Sequence, residues 1–244
     1  MGDPHLRLAR SFGNVAETYH RVRPGYSQEV IDRALSVLGL DARASVLDLA
    51  AGTGRLTSEL AQRFARVIAV EPDDAMRALI VDGEVLAGAA EAIPLAGASV
   101  DAVFVGEAFH WFEAADAIAE IARVLRPRGG LAVISTHWWE TEPPLGDAAL
   151  QLLSGPYERS LGHRKPPWDN AFAESPFEPL QLEGFEEELV VDVDELLELY
   201  STTSSLAALP HEERAELFAD VRRLLAGSYR LPVKHELAWT RLAA

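Results

Sequence analysis

Between residues 27 and 135, short apolar runs alternate with segments whose apolar residues recur at helical spacing, and this alternation restricts the fold more than any other feature of the chain. Ser27 to Leu40 puts Val30, Ile31, Ala34, Leu35 and Leu38 on one stripe, with Ser27 at the N-cap and Gly39 as a stop. Strand-like Ser45 to Leu49, helical Leu56 to Phe64 and strand-like Arg66 to Val70 follow. A short helix after Asp73, a short strand near Val85 to Ala87 and the run Val100 to Val105 come next. Ala114 to Leu125 is the clearest helix, ended by Pro127 and Gly129-Gly130, and Leu131 to Ser135 is another strand of the buried type. Apolar strands joined by amphipathic helices imply an α/β fold with a parallel sheet covered on both faces.

After Thr136 the texture changes. Trp138, Trp139, Trp168 and scattered prolines leave one short helix, around Ala148 to Leu153, in a stretch otherwise expected to be a structureless lid or binding loop. An extended segment, Leu180 to Val191, precedes a helix over Glu195 to Tyr200. Pro210 opens a second helix, in which Leu217, Phe218, Val221, Leu224 and Leu225 share a face and Gly227 supplies the end. Val233 to Arg241 alternates as a final strand.

Composition removes several classes of function. With 244 residues, 48% of them hydrophobic, the chain can bury a full core. Acidic residues outnumber basic ones 38 to 22, a formal charge of −16, and no basic cluster interrupts the excess, so neither nucleic acid nor an anionic membrane is an expected partner. No apolar run approaches the roughly 20 residues that span a bilayer. The absence of cysteine excludes disulfides, thiolate metal sites and cysteine nucleophiles, and a cytoplasmic location is the expectation.

Val46 to Thr57, VLDLAAGTGRLT, runs from an apolar strand through Gly52-Thr53-Gly54 into an amphipathic helix. Ligands of open α/β sheets bind at the carboxyl ends of the strands, where glycine lets the backbone approach them. The next strand, Arg66 to Val70, ends in Glu71, an acid about 20 residues past the turn where ribose hydroxyls would bind, and one with no evident structural reason to stand after an apolar strand. A dinucleotide fingerprint needs a glycine at its sixth position, but that position is Arg55 counting from Ala50 and Thr57 counting from Gly52. No Gly-Lys-Ser/Thr follows, which excludes a nucleoside triphosphate loop.

VLDLAAGTGRLT, VIAVEPDDAM, GAAEAIPLAGASVDAVFVGEAFHWF and LRPRGGLAVI, in that order, resemble the successive motifs of class I S-adenosylmethionine (SAM)-dependent methyltransferases of the small-molecule type with an AFHWF signature. AETYHRVRPGY, Ala16 to Tyr26, fits the same group. The resemblance implies a Rossmann-like, seven-stranded sheet, mostly parallel with an antiparallel last strand, helices on both faces and a cap. Residues 1–135 would form an N-terminal lid and the SAM-binding core, 136–179 and 192–230 cap insertions, and 180–191 and 231–244 the terminal strands. SAM is the implied cofactor. Asp48, Ala50, Gly52 and Gly54 would take its methionine part, Glu71 its ribose, and Pro72, Met76, Ala90 and Glu91 its adenine, with Tyr19 and Glu107 completing the cofactor site. Two positions depart from the family pattern. Ala50 replaces the first glycine, an exchange that sterics tolerate only if the residue avoids positive φ. Ala89 stands where an acid often takes the adenine amino group.

The implied reaction moves a methyl group to an oxygen or nitrogen of a small metabolite by in-line displacement, for which positioning and exclusion of water matter more than a proton shuttle. Gly106 to Phe112 leaves the fourth strand at the carboxyl edge and carries His110, a general base for a hydroxyl or, equally, a structural imidazole. Arg23, Tyr26, Trp111, Trp138 and Trp139 are the candidate substrate-binding residues. No metal spacing is present. A SAM-binding protein without turnover and a methyltransferase acting on a protein are the alternatives, and a monomer or homodimer the expected assembly.

Overall fold

The computed structural model describes residue 22 and residues 25–137, 145–159 and 168–243. The first half alternates as its sequence pattern predicts: α1 (Gln28–Val37), β1 (Ser45–Leu49), α2 (Arg55–Ala61), β2 (Arg66–Val70), the single turn α3 (Asp74–Arg77), β3 (Glu84–Leu86), β4 (Val100–Gly106), a 3₁₀ turn over Phe109–Trp111, α4 (Ala114–Val124) and β5 (Leu125–His137). α5 (Asp147–Arg159), α6 (Trp168–Ala173), β6 (Gln181–Asp192), α7 (Val193–Ser201), the single turn α8 (Ser204–Ala207), α9 (His211–Leu224) and β7 (Ser228–Arg241) complete it.

The seven strands form one sheet in the order β3-β2-β1-β4-β5-β7-β6, mostly parallel with antiparallel last strands. All five residues of β1 are buried, as a central parallel strand requires. Because side chains alternate across a strand, the sheet feeds two cores. Leu47, Leu49, Ile68, Val70, Val103 and Val105 pack with Ile118 and Ile121 of α4 on one face. Val46, Val67, Ala102 and Phe104 pack with Ile31 of α1 and Leu56 and Leu60 of α2 on the other. From β1 the chain winds outward to β2 and β3, then returns to place β4 on the opposite side of β1. The carboxyl ends of β1 and β4 therefore flank a topological switch point, the crevice where such sheets bind ligands.

The second half departs from expectation in two places. The short helix expected around Ala148 to Leu153 is present as the longer α5, and α6 adds a second helix within residues 136–179 that the sequence pattern did not predict. Apolar positions explain both helices: Ala149 and Leu153 of α5 are buried with Leu196 and Leu199, while Phe172 of α6 stacks on Phe109 at 5.8 Å and meets Phe177 edge-on. β5 also begins at Leu125, before the glycines expected to precede it. Leu125 already pairs with Val100, and the ladder resumes at Ala102 and Gly130, so Arg126 to Gly129 form a bulge in which Arg128 takes φ +65°.

Two compact units emerge. One comprises the described parts of Gly25–Thr136, Lys165–Phe185 and His235–Ala244 and holds both sheet cores; the other comprises those of Met1–Pro24, His137–Arg164 and Glu186–Lys234, with its own core. Among the described residues no helix is long and apolar enough to cross a membrane.

Candidate functional site

β1 ends at the switch point in a turn built from left-handed residues: Ala50 at φ +57°, Gly52 at +58° and Gly54 at +81°. Ala51 N–H donates to the Val70 carbonyl (3.0 Å), tying the turn to β2, and Gly54 N–H donates to the Ala51 carbonyl (2.9 Å). A Cβ at Gly54 would lie 2.9 Å from Ile80 Cγ2 and 3.2 Å from its Cα, so both space and backbone require glycine there. Ala50 does not avoid positive φ, contrary to the condition its sequence set. It occupies the left-handed region at a cost of roughly 1–2 kcal/mol, strain of the kind that collects at binding sites.

Glu71 is 5% exposed, and both of its oxygens are engaged. Oε2 accepts the Gly52 N–H and Oε1 the Asp73 N–H, each at 2.8 Å. The acid therefore has a structural task after all, bracing the glycine turn against the start of α3. Burial raises its pKa, against the two N–H bonds that favour the carboxylate. Asp48, 1% exposed, accepts the Thr57 hydroxyl at 2.6 Å. Burial, partly offset by that bond and reinforced by the charge of Glu71, pushes Asp48 up to about 7. Thr57 was missed in the sequence; the signal available was a hydroxyl between Leu56 and Leu60 on the buried face of α2.

Asp73 caps α3 by accepting from Ala75 and Met76 N–H, both at 2.9 Å, and so carries the buried Met76 to the turn. Met76 Cε lies 3.9 Å from the point a Gly52 Cβ would occupy. Pro72 is exposed beside Glu71, and its carbonyl accepts from Arg77. Ala90 is buried in the first core. Glu91 is partly engaged elsewhere, its Oε1 accepting Glu113 N–H at 2.9 Å at the start of α4.

At the end of β4, a side chain on Gly106 would collide with the Tyr26 hydroxyl, so glycine is what lets that phenol lie over the strand end. Glu107 follows at φ +58°. His110 is exposed on the 3₁₀ turn, its ring 4.8 Å from that of Trp111, and Trp111 is half-buried against the first core. The structure thus gathers Asp48, Ala50, Gly52, Gly54, Glu71 and Met76 around one turn. It sets Tyr26, Glu107, His110 and Trp111 at the end of β4, the strand beside β1. Tyr19, Arg23, Trp138 and Trp139 lie outside the described residues. Among the described residues no three His, Asp or Glu side chains converge as a metal ion would require.

The donor set suits a nucleoside carrying a cationic group. Each Glu71 oxygen spends one lone pair on a backbone N–H and has capacity to accept a further hydrogen bond. Two buried acids beside the turn favour a neighbouring positive charge when they are ionised. A family model described as a methyltransferase domain matches residues 47–133, and the chain belongs to the class I SAM-dependent methyltransferases, a family that implies use of SAM. It is 36% identical over 228 residues to an uncharacterized methyltransferase, Rv3342, of Mycobacterium tuberculosis, covering 90% of this chain and 87% of that one. Over 99 residues it is 42% identical to a malonyl-[acyl-carrier protein] O-methyltransferase of Methylococcus capsulatus, 36% of each chain. A solved structure from Anaeromyxobacter dehalogenans, described as a type II methyltransferase, is 27% identical with a TM-score of 0.64, covering 90% of this chain and 97% of that one.

Proposed function

We propose that the protein transfers the methyl group of SAM to an oxygen or nitrogen atom of a small metabolite. The observation that carries this reading is the cradle at the switch point: Glu71 braced on Gly52, with the exposed imidazole of His110 on the segment that leaves the neighbouring strand. Ala50, Gly52 and Gly54 would hold the methionine part through their backbone, with Asp48 beside its ammonium group. Glu71 would take the ribose hydroxyls, and Pro72, Met76, Ala90 and Glu91 would border the adenine, while Tyr19 and Glu107 complete the cofactor site. Bound SAM supplies a methyl group on a positively charged sulfur.

With SAM bound, the chemistry supplied would be in-line displacement, the C–S bond breaking as a C–O or C–N bond forms to the acceptor. His110 takes the proton when the acceptor is a hydroxyl. Tyr26 and Trp111, with Arg23, Trp138 and Trp139, are assigned to the acceptor, and its selection to the insertions 136–179 and 192–230. The oxygen-directed name of the Methylococcus relative supports an oxygen acceptor. A cysteine-free chain suits action in the cytoplasm.

Incubation with methyl-labelled SAM and a metabolite extract tests the reading. Label in a low-molecular-mass product supports it and identifies the acceptor atom. Tight SAM binding without a labelled small product overturns it in favour of a binder or, if label enters protein, of a protein acceptor. His110→Ala should lower transfer to a hydroxyl by about 10²-fold with SAM affinity nearly unchanged. A small effect would leave positioning as the mechanism.

A further inference from the structure

Glu107, the first residue after β4, departs from the sheet in an unusual way. Its N–H continues the parallel ladder by donating to the Ile134 carbonyl (2.9 Å). The next rung of such a ladder would run from Thr136 N–H to the Glu107 backbone carbonyl. Glu107 instead takes φ +58°, and its own side-chain Oε1 accepts the Thr136 N–H. A non-glycine residue in the left-handed region is held there by its surroundings, and here the carboxylate replaces the lost rung. Thr136 is itself fixed: its hydroxyl lies 3.1 Å from Nδ1 of His235 on the neighbouring strand β7. Thr136 is 7% exposed and His235 2%. All three residues lie in the same compact unit.

We propose that Thr136 and His235 are positioning residues that hold Glu107 in its left-handed turn, and through it set the path of Gly106 to Phe112, the segment that carries His110. A buried hydroxyl and imidazole between two strands would be an expensive filling for an apolar core. Paired with each other, they fix the peptide whose N–H anchors the Glu107 carboxylate. The consequence is local, because Glu107 is tied to β5 by its N–H and its carboxylate just before the chain turns off to Phe109–Trp111. The inference rests on the functional reading above only in giving that segment a role in methyl transfer; the geometry it asserts exists without ligand.

The test compares Thr136→Val, which keeps shape and backbone N–H but loses the hydroxyl, with Thr136→Ser, which keeps the hydroxyl, and adds His235→Ala and the double variant Thr136→Val/His235→Ala. In the ligand-free protein, amide NMR shifts of Glu107 to Phe112 should move in Thr136→Val and His235→Ala and stay near wild type in Thr136→Ser. Calorimetric titration with SAM should show affinity about tenfold weaker in the first two, restored in the serine variant, and no weaker in the double variant than in either single one, as groups acting in series require. Unmoved amide shifts in folded variants overturn the proposal, and shifts that move with unchanged SAM affinity overturn its extension to the cofactor site through Glu107. If the wild-type protein fails to bind SAM, the functional reading falls, while the amide shifts still decide whether the chain of bonds positions the segment.

Discussion

Among the described residues, Asp48 is the one whose environment departs furthest from what its chemistry prefers. Its carboxyl, ordinarily near 3.8, is pushed up to about 7 by burial, with Glu71 adding to the rise. The folded state thus holds this proton more tightly than the unfolded chain does. Stability from Asp48 is complete below its ordinary value and is lost as pH rises through about 7. Asp48→Asn keeps an acceptor for the Thr57 hydroxyl and removes the titration. We expect the variant to gain on the wild type between about pH 4 and pH 8, by a few kcal/mol at the upper end, when thermal unfolding is followed at several pH values. An offset that does not change with pH would mean that Asp48 is charged throughout. Glu71 behaves differently because it does two jobs. Glu71→Ala removes the candidate ribose acceptor and strips two backbone N–H groups of their partner, so SAM affinity should fall by tenfold or more, on the order of one charged hydrogen bond, and the melting temperature should drop with it. Loss of affinity without loss of stability would confine Glu71 to ligand binding.

At the scale of elements, the strands near the site were readable because each is a short, largely apolar run. Ser45–Leu49 and Arg66–Val70 have the limits their sequence predicts, and β4 extends the predicted run by only Gly106. The glycine turn was readable for the same reason, whereas the bracing of Gly52 and Asp73 by Glu71 was not. What escaped were arrangements that join distant segments. α6 is held by Phe172 on Phe109 and Phe177, contacts that no local period reports, and the pairing of Thr136 with His235 spans 99 positions. Ala50 shows the limit of a local rule: the turn's geometry prevailed over the residue's preference. The junction of β4 with the start of α1 offers a test of such long-range fitting. A Cβ on Gly106 would strike the Tyr26 hydroxyl and lie 3.1 Å from Leu56 Cδ2. Gly106→Ala should therefore destabilise the protein by about 1–3 kcal/mol, and by clearly less in a Tyr26→Leu background that vacates the space. Equal losses in both backgrounds in denaturant titrations would show that Tyr26 is not what glycine accommodates.

For the whole molecule, the formal charge of −16 acts at a range that the two buried acids do not share. Fields from exposed carboxylates reach about 30 Å at 0.01 M salt and about 8 Å at 0.15 M, so they govern the approach of a charged ligand more than its final contacts. SAM carries one net positive charge at neutral pH, from a sulfonium and an ammonium against one carboxylate. Its demethylated product lacks the sulfonium and is neutral overall. Long-range attraction therefore favours the donor over the product. Stopped-flow measurements should show SAM association slowing severalfold from low to physiological salt, while association of the product changes little. Dissociation should respond weakly for both, because charges inside the turn are shielded from mobile ions by burial. The same salt dependence for both ligands would mean that the surface charge does not steer, and that discrimination between donor and product rests entirely with contacts made inside the turn.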